Sequence, residues 1–193
     1  MQTLDIGHNG LIVLPEALGK LRNLKHFLYI SNNRLSSVPE SLFEQMPQLR
    51  YLNLTDNQLT ALPESIGRLK DLRELRLYNN RLAALPESIG ELTTLREAHL
   101  MNNRLVALPE SIGRLENLTL LDLRNNQLVG LPESLRNLRQ LEHLDLRNNR
   151  LTALPDVIGE LPTLKKLDLR WNKLRSIPSW LERLEREGCI VYR

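Results

Sequence analysis

Apolar and polar positions along this chain follow one template that returns every 23 or 24 residues. In LDLRNNRLTALP, residues 144–155, Leu144 and Leu146 flank Asp145, which places the two leucines on one face of an extended segment and the aspartate on the other. Leu151, Leu154, Ile158 and Leu161 come back at the looser spacings of a helical turn. Each unit therefore predicts a short strand, a sharp turn and a return segment whose leucines share one interior. One unit alone cannot bury them. Stacked units can, since neighbours above and below supply the walls and each buried Leu or Ile contributes about 1.5–3 kcal/mol.

The register is kept by asparagines. Asn9, Asn33, Asn57, Asn80, Asn103, Asn126, Asn149 and Asn172 each precede a proline by six residues, from Pro15 to Pro178. The unit reads LxxLxLxxNxLxxLPxxIGxLxx and resembles the leucine-rich-repeat family over essentially the whole chain. The resemblance implies an α/β solenoid with a curved parallel β-sheet on its concave face. Residues 1–193 then form a single domain of eight repeats.

Each asparagine sits where the chain leaves its strand, so nearby backbone groups lose their ladder partners. An unpaired group there costs about 1–3 kcal/mol, and an amide side chain offers both donors and an acceptor. A structural ladder bonding the turn of its own repeat and of the next is expected. The return segment LPESIGRL starts on proline, which suits a first helical position, and continues with an acid, Glu16 through Asp156, where the helix dipole favours negative charge. Gly67, Gly90, Gly113 and Gly159 then limit the helical piece to about one turn, so the convex side should be 3₁₀, short helical or irregular.

The ends depart from the unit. In residues 179–193, SWLERLERE has helix formers where other repeats carry glycine, and Gly188 fits a helix stop. Ile190 and Tyr192 fall at the two strand-leucine positions, so the segment reads as a C-terminal cap of helix plus final strand, with Cys189 inside it. No matching cap opens the chain, because Met1 already occupies the first leucine position of repeat one. Either residues precede it or the first strand is covered by something else, self-association included.

Burying the leucines leaves alternate strand positions facing outward, over roughly 38 Å of sheet at about 4.8 Å per strand. Phe27, Tyr29, Tyr51 and Tyr78 cluster toward the N-terminal half of a chain with only 4% aromatic residues. Rings of this kind make binding anchors, since they bury large area with few rotors. They also cover one another as ordinary strand formers. Arg76, His99 and Met101 extend this zone to the centre. Further on, an aspartate row (Asp122, Asp145, Asp168) lies beside an arginine row (Arg124, Arg147, Arg170), which predicts a solvated ladder of ion pairs, with Trp171 as an apolar anchor at its rim.

Composition narrows the function. The formal charge is +3 with acids and bases interleaved, which argues against a nucleic-acid partner despite a ridge of Arg34, Arg81, Arg104, Arg150 and Lys173. No apolar run approaches the ~20 residues of a membrane span. A single cysteine makes no internal disulfide, and MQTLDIGHNG is no signal peptide, so the cytosol is expected. His99 beside Asp122 lacks a nucleophile, and His99 and His143 match no dedicated metal spacing, so neither catalysis nor a cofactor is expected. Repeats of the LPxxIGxL kind look like those of cytosolic signalling scaffolds and bacterial effectors. The resemblance implies a non-catalytic module that binds a protein on its concave face. Alternatively it implies the substrate-recognition part of a larger effector, ubiquitin ligase or signalling enzyme, delivered into a host cytosol in the effector case.

Overall fold

The computed structural model describes residues 2–193; Met1, and with it the first leucine position, lies outside the described residues. The strands β1 (Thr3–Asp5), β2 (Phe27–Tyr29), β3 (Tyr51–Asn53), β4 (Glu74–Arg76), β5 (Glu97–His99), β6 (Leu120–Asp122), β7 (His143–Asp145), β8 (Lys166–Asp168) and β9 (Ile190–Tyr192) form one sheet in sequence order. Every neighbouring pair is parallel. The central leucines stand opposite one another, Leu4 to Leu28 to Leu52 and on to Leu167, with Ala98 taking the place on β5. The two longer repeats do not disturb this register, because their extra residues lie outside the strands.

Seven 3₁₀ helices form the convex side among the described residues, six beginning with a glutamate and the last with Asp156, each directly after its proline. The prolines have extended ψ near 140–150°, so they enter the turn and do not form part of it. Glycine is required here for a reason the sequence reading did not reach. A β-carbon on Gly90 or Gly113 would lie 2.4 Å from the carbonyl oxygen of Ser111 or Ser134 in the following coil. Close approach of adjacent coils, more than helix termination, selects glycine at these positions.

Between sheet and 3₁₀ layer runs one continuous core from Leu14 to Cys189, and most of its leucines are fully sealed. The asparagine ladder holds its edge. Asn103 accepts the Leu82 N–H at 3.0 Å and donates to the carbonyls of Leu77 and Leu100, both at 3.0 Å. The same pattern recurs at Asn57, Asn80, Asn126 and Asn149. Each amide thus ties its own coil to the preceding one; the expected link to the following coil is corrected. The direction follows from the turn, which carries the amide back under the strand that came before.

The helix α1 (Trp180–Arg186) covers the convex end, with Leu181 and Leu184 buried and the Trp180 indole N–H donating to Asp156. Gly188 has φ +96°, as a helix stop requires. One register assignment is corrected: Val191, not Ile190 or Tyr192, stands opposite Leu167, which turns Ile190 and Tyr192 to the outer face of the sheet. Burial pushes the Cys189 thiol up, in keeping with a packing role.

Candidate functional site

The outward face of the sheet divides into an aromatic end and an ionic end. Phe27, Tyr29 and Tyr51 form one cluster, with ring centroids 5.1–6.0 Å apart across β2 and β3. Arg76 places its guanidinium 5.5 Å from the centre of the Tyr51 ring while its Nε donates to Glu74 at 2.6 Å. Burial raises the Tyr51 pKa; Arg76 opposes this and Glu74 reinforces it. The rings remain partly open, Phe27 at 41% exposure, so they both cover one another and present a surface. Beside them Ser31, Asn53 and Thr55, expected outward, are buried. Tyr78 is half-buried and makes no ring contact with this cluster among the described residues.

At the centre, His99 approaches Glu97 at 3.1 Å and Glu74 at 3.8 Å. These three could each offer one ligand atom to a metal, all within 4.8 Å of one another, yet Glu74 is already engaged by Arg76 and His143 is not part of the group. Arg124 reaches back to the Met101 sulfur at 3.4 Å and forward to Asp122 at 3.3 Å. Here the face opens into a groove of about 330 Å³ lined by His99, Met101, Leu120, Asp122, His143 and Lys166, among others. Leu120, His143 and Lys166 were visible as an outward column but carried no signal that set them apart; only the curvature of the sheet makes them a groove.

At the other end the expected pairs of the Asp and Arg rows form, but the ladder is not solvated throughout. Asp168 is sealed, its side chain 1% exposed, between Arg170 at 2.7 Å and Arg147 at 3.3 Å. Arg147 also grips Asp145 at 2.6 Å. The two outer aspartates of this row diverge. Burial works against ionisation of Asp168, but bonds from the Arg170 side chain and backbone, with Arg147 nearby, hold its carboxyl below the usual range. For Asp122 burial prevails over Arg124, Asp145 adds repulsion, and the carboxyl is pushed up. Trp171 is exposed at the rim, its ring 5.4 Å from the Arg170 guanidinium.

A second amide ladder, unforeseen from the sequence, borders this face. Asn79 donates to Asp56, Asn102 to Asn79, Asn125 to Asn102 and Asn148 to Asn125. All five have φ between +51° and +57°, a left-handed conformation that Asn and Asp tolerate. The doubled asparagine of five of the eight repeats, with Asp56-Asn57 in the third, was the available signal.

Two family models, described as leucine rich repeat and leucine-rich repeat region, match residues 26–82 and 89–186. The chain belongs to the leucine-rich-repeat family. No curated protein sequence matches it. Among solved structures, it is similar to a leucine-rich-repeat protein of Leptospira interrogans, with 33% identity and TM-score 0.85 over 100% of this chain and 54% of the other. It is also similar to the ectodomain of the Arabidopsis thaliana membrane receptor kinase GASSHO1/SCHENGEN3, solved in complex with Casparian strip integrity factor 2, with 35% identity, TM-score 0.82 and 98% and 24% of the two chains covered. The leucine-rich-repeat domain of the type III effector XopL aligns at 27% identity and TM-score 0.77, over 100% of this chain and 68% of that one. The chain thus spans about half of the Leptospira protein and about a quarter of the receptor ectodomain. Among the described residues, no helix is long and apolar enough to cross a membrane.

Proposed function

We propose that residues 1–193 act as a single non-catalytic module, closed by residues 179–193, that binds a protein partner on the concave sheet face. The observation that carries this reading is the half-open ring cluster Phe27–Tyr29–Tyr51, which leads over Arg76, Tyr78, His99 and Met101 into the central groove. The face is rigid, since each strand is pinned to its neighbours, so binding costs little ordering. The receptor ectodomain solved with its factor supports a protein ligand for this fold.

The test is site-specific cross-linking in a cytosolic extract, with a photoreactive residue at position 51 or 78 and, as control, at position 133 on the convex side. Cross-links to the same protein from the concave positions alone support the reading. Cross-links from position 133 alone relocate the site. The alternative is a recognition segment of a larger effector, ubiquitin ligase or signalling enzyme; the likeness to XopL supports its effector form, which would place the face in a host cytosol. Self-association is favoured by Ile12 and Val13, exposed at 68% and 70% on the first coil beside half-buried Leu4, Ile6 and Leu11. It predicts a mass that rises with concentration in sedimentation, and a constant monomer mass argues against it.

A further inference from the structure

Trp171 stands where the first coil carries a histidine and the next six carry asparagine or aspartate. The left-handed position after each strand is filled by His8, Asn32, Asp56, Asn79, Asn102, Asn125 and Asn148, and then by Trp171 at φ +60°. Asparagine and aspartate visit this region because their short polar side chains bond locally, whereas a bulky ring is strained there. Within the chain little offsets that strain. The indole is 68% exposed, and the amide ladder that runs from Asp56 stops at Asn148, one coil short of it.

The surroundings have the same character. Ile190 and Tyr192 on β9 are exposed at 56% and 39%. The Arg170 guanidinium is held between two rings, 4.7 Å from the centre of Tyr192 and 5.4 Å from that of Trp171. Lys166 Nζ lies 5.5 Å from the Tyr192 ring. The nearby carboxylate, Asp168, is sealed beneath its two arginines. Among the described residues Lys166, Lys173 and Arg175 form no ion pair. An aromatic and aliphatic surface thus lies against Lys166, with Lys173 and Arg175 on the exposed segment that follows Trp171, and among the described residues these three cations have no acid partner.

We propose that Trp171, Tyr192 and Ile190, with Lys166 and Lys173, form a second docking site, for an acidic segment of a partner protein that carries apolar side chains between its carboxylates. The inference rests on the reading that this sheet face takes protein, but it uses the opposite end from the ring cluster. Rigid rings give contact area at small entropic cost, and the lysines meet the carboxylates. A nucleic acid would use the same cations. Protein is favoured because the Arg170 Nε and Nη2 donors are already committed to Asp168, at 3.0 and 2.7 Å, and because aliphatic Ile190 offers no stacking plane to a base.

The test measures binding of the full chain to a fluorescein-labelled peptide in which aspartates flank a Leu-Phe pair. Controls replace the aspartates by asparagine or lysine, and a labelled oligothymidylate is run beside them. The acidic peptide should bind with loss at higher salt. Trp171→Asn, which gives this coil its neighbours' residue, and Lys166→Glu should each weaken it by about tenfold or more. Tyr29→Ala/Tyr51→Ala should leave it unchanged, so loss at that variant with retention at Trp171→Asn would overturn this site while supporting the one at the ring cluster. Equal binding of the asparagine peptide, preference for oligothymidylate, or no binding of the acidic peptide would also overturn it.

Discussion

On β2 and β3 the outward sheet positions carry Phe27, Tyr29 and Tyr51, rings that lean on one another. On β7 and β8 the position of Tyr29 is taken by Asp145 and Asp168, clamped by the arginines two residues on, and that of Phe27 and Tyr51 by His143 and Lys166. The backbone is equivalent at both ends, with strands in register and one sealed core behind. Registered strands force like positions into contact, so whatever fills a column must be compatible with its neighbours. Rings meet this by stacking, and charges meet it by alternating sign between columns. The first arrangement should ignore acid and salt. The second should answer to both, since its strength resides in ionised groups.

The strongest challenge to treating the two ends as parts of one unit lies between them. Asn103 ties the coil of β5 to that of β4 through buried bonds, and replacing it by Leu orphans the Leu82 N–H and takes one donor from each of the Leu77 and Leu100 carbonyls, which keep the Asn80 and Asn126 amides. We expect a loss of about 3 kcal/mol in urea unfolding, from one orphaned donor at about 1–3 kcal/mol and two lost hydrogen bonds at about 0.5–1.5 kcal/mol each. In a stack held by nearest neighbours the ring end and the ionic end should then unfold in separate steps, read by hydrogen exchange at Leu52 and Leu144. A single unshifted transition would contradict the role given to the ladder.

Next in size is Asp168→Asn, which removes the sealed carboxylate from between two guanidinium groups, with an expected cost of about 2 kcal/mol at neutral pH. Because the folded pKa lies below the unfolded value near 4, the wild-type advantage is complete above that value. It fades as pH falls through the lower, folded one. A difference that persists in strong acid would show that packing, not charge, carries the effect. Tyr51→Ala should cost about 1–2 kcal/mol through lost stacking and apolar burial, alike at low and high salt and from acid to neutral pH. Salt dependence there would dissolve the contrast between the ends.

Smallest is Asp122→Asn. Here the folded carboxyl titrates above its unfolded value, so the ionised form weakens the fold at neutral pH. The variant should be more stable by about 0.5 kcal/mol at neutral pH. The gain should vanish below the unfolded pKa, where both residues are neutral. Thermal melts at the two pH values decide it, and equal stability at neutral pH would show Asp122 fully paired.

The periodic leucines, the asparagine column and the proline-acid pair were enough to read off stacked units of strand, turn and short 3₁₀ return, since each depends on contacts that repeat at fixed spacing; the curved parallel sheet came with the family resemblance they carry. Errors came where spacing was equal and surroundings were not. Asp122 and Asp168 occupy one column and each stands opposite Asp145, yet Asp122 is answered chiefly by Arg124 and Asp168 by both Arg147 and Arg170, and nothing local separates them. Ile190 and Tyr192 were placed inward by counting, whereas pairing with β8 sets Val191 inward, because a one-residue slip exchanges the two faces of a strand.

By itself the sequence determined which leucines are sealed in and which strand positions alternate with them, because burying a repeated leucine set admits essentially one stacking. Tertiary structure alone decided how neighbouring columns act together: which rings touch, which carboxylate is sealed, where curvature gathers Leu120 and His143 into a groove, and that Trp171 is left open beside Tyr192. Most of those are contacts between residues about one repeat apart, set by the curvature of the stack and not by the identity of any one repeat.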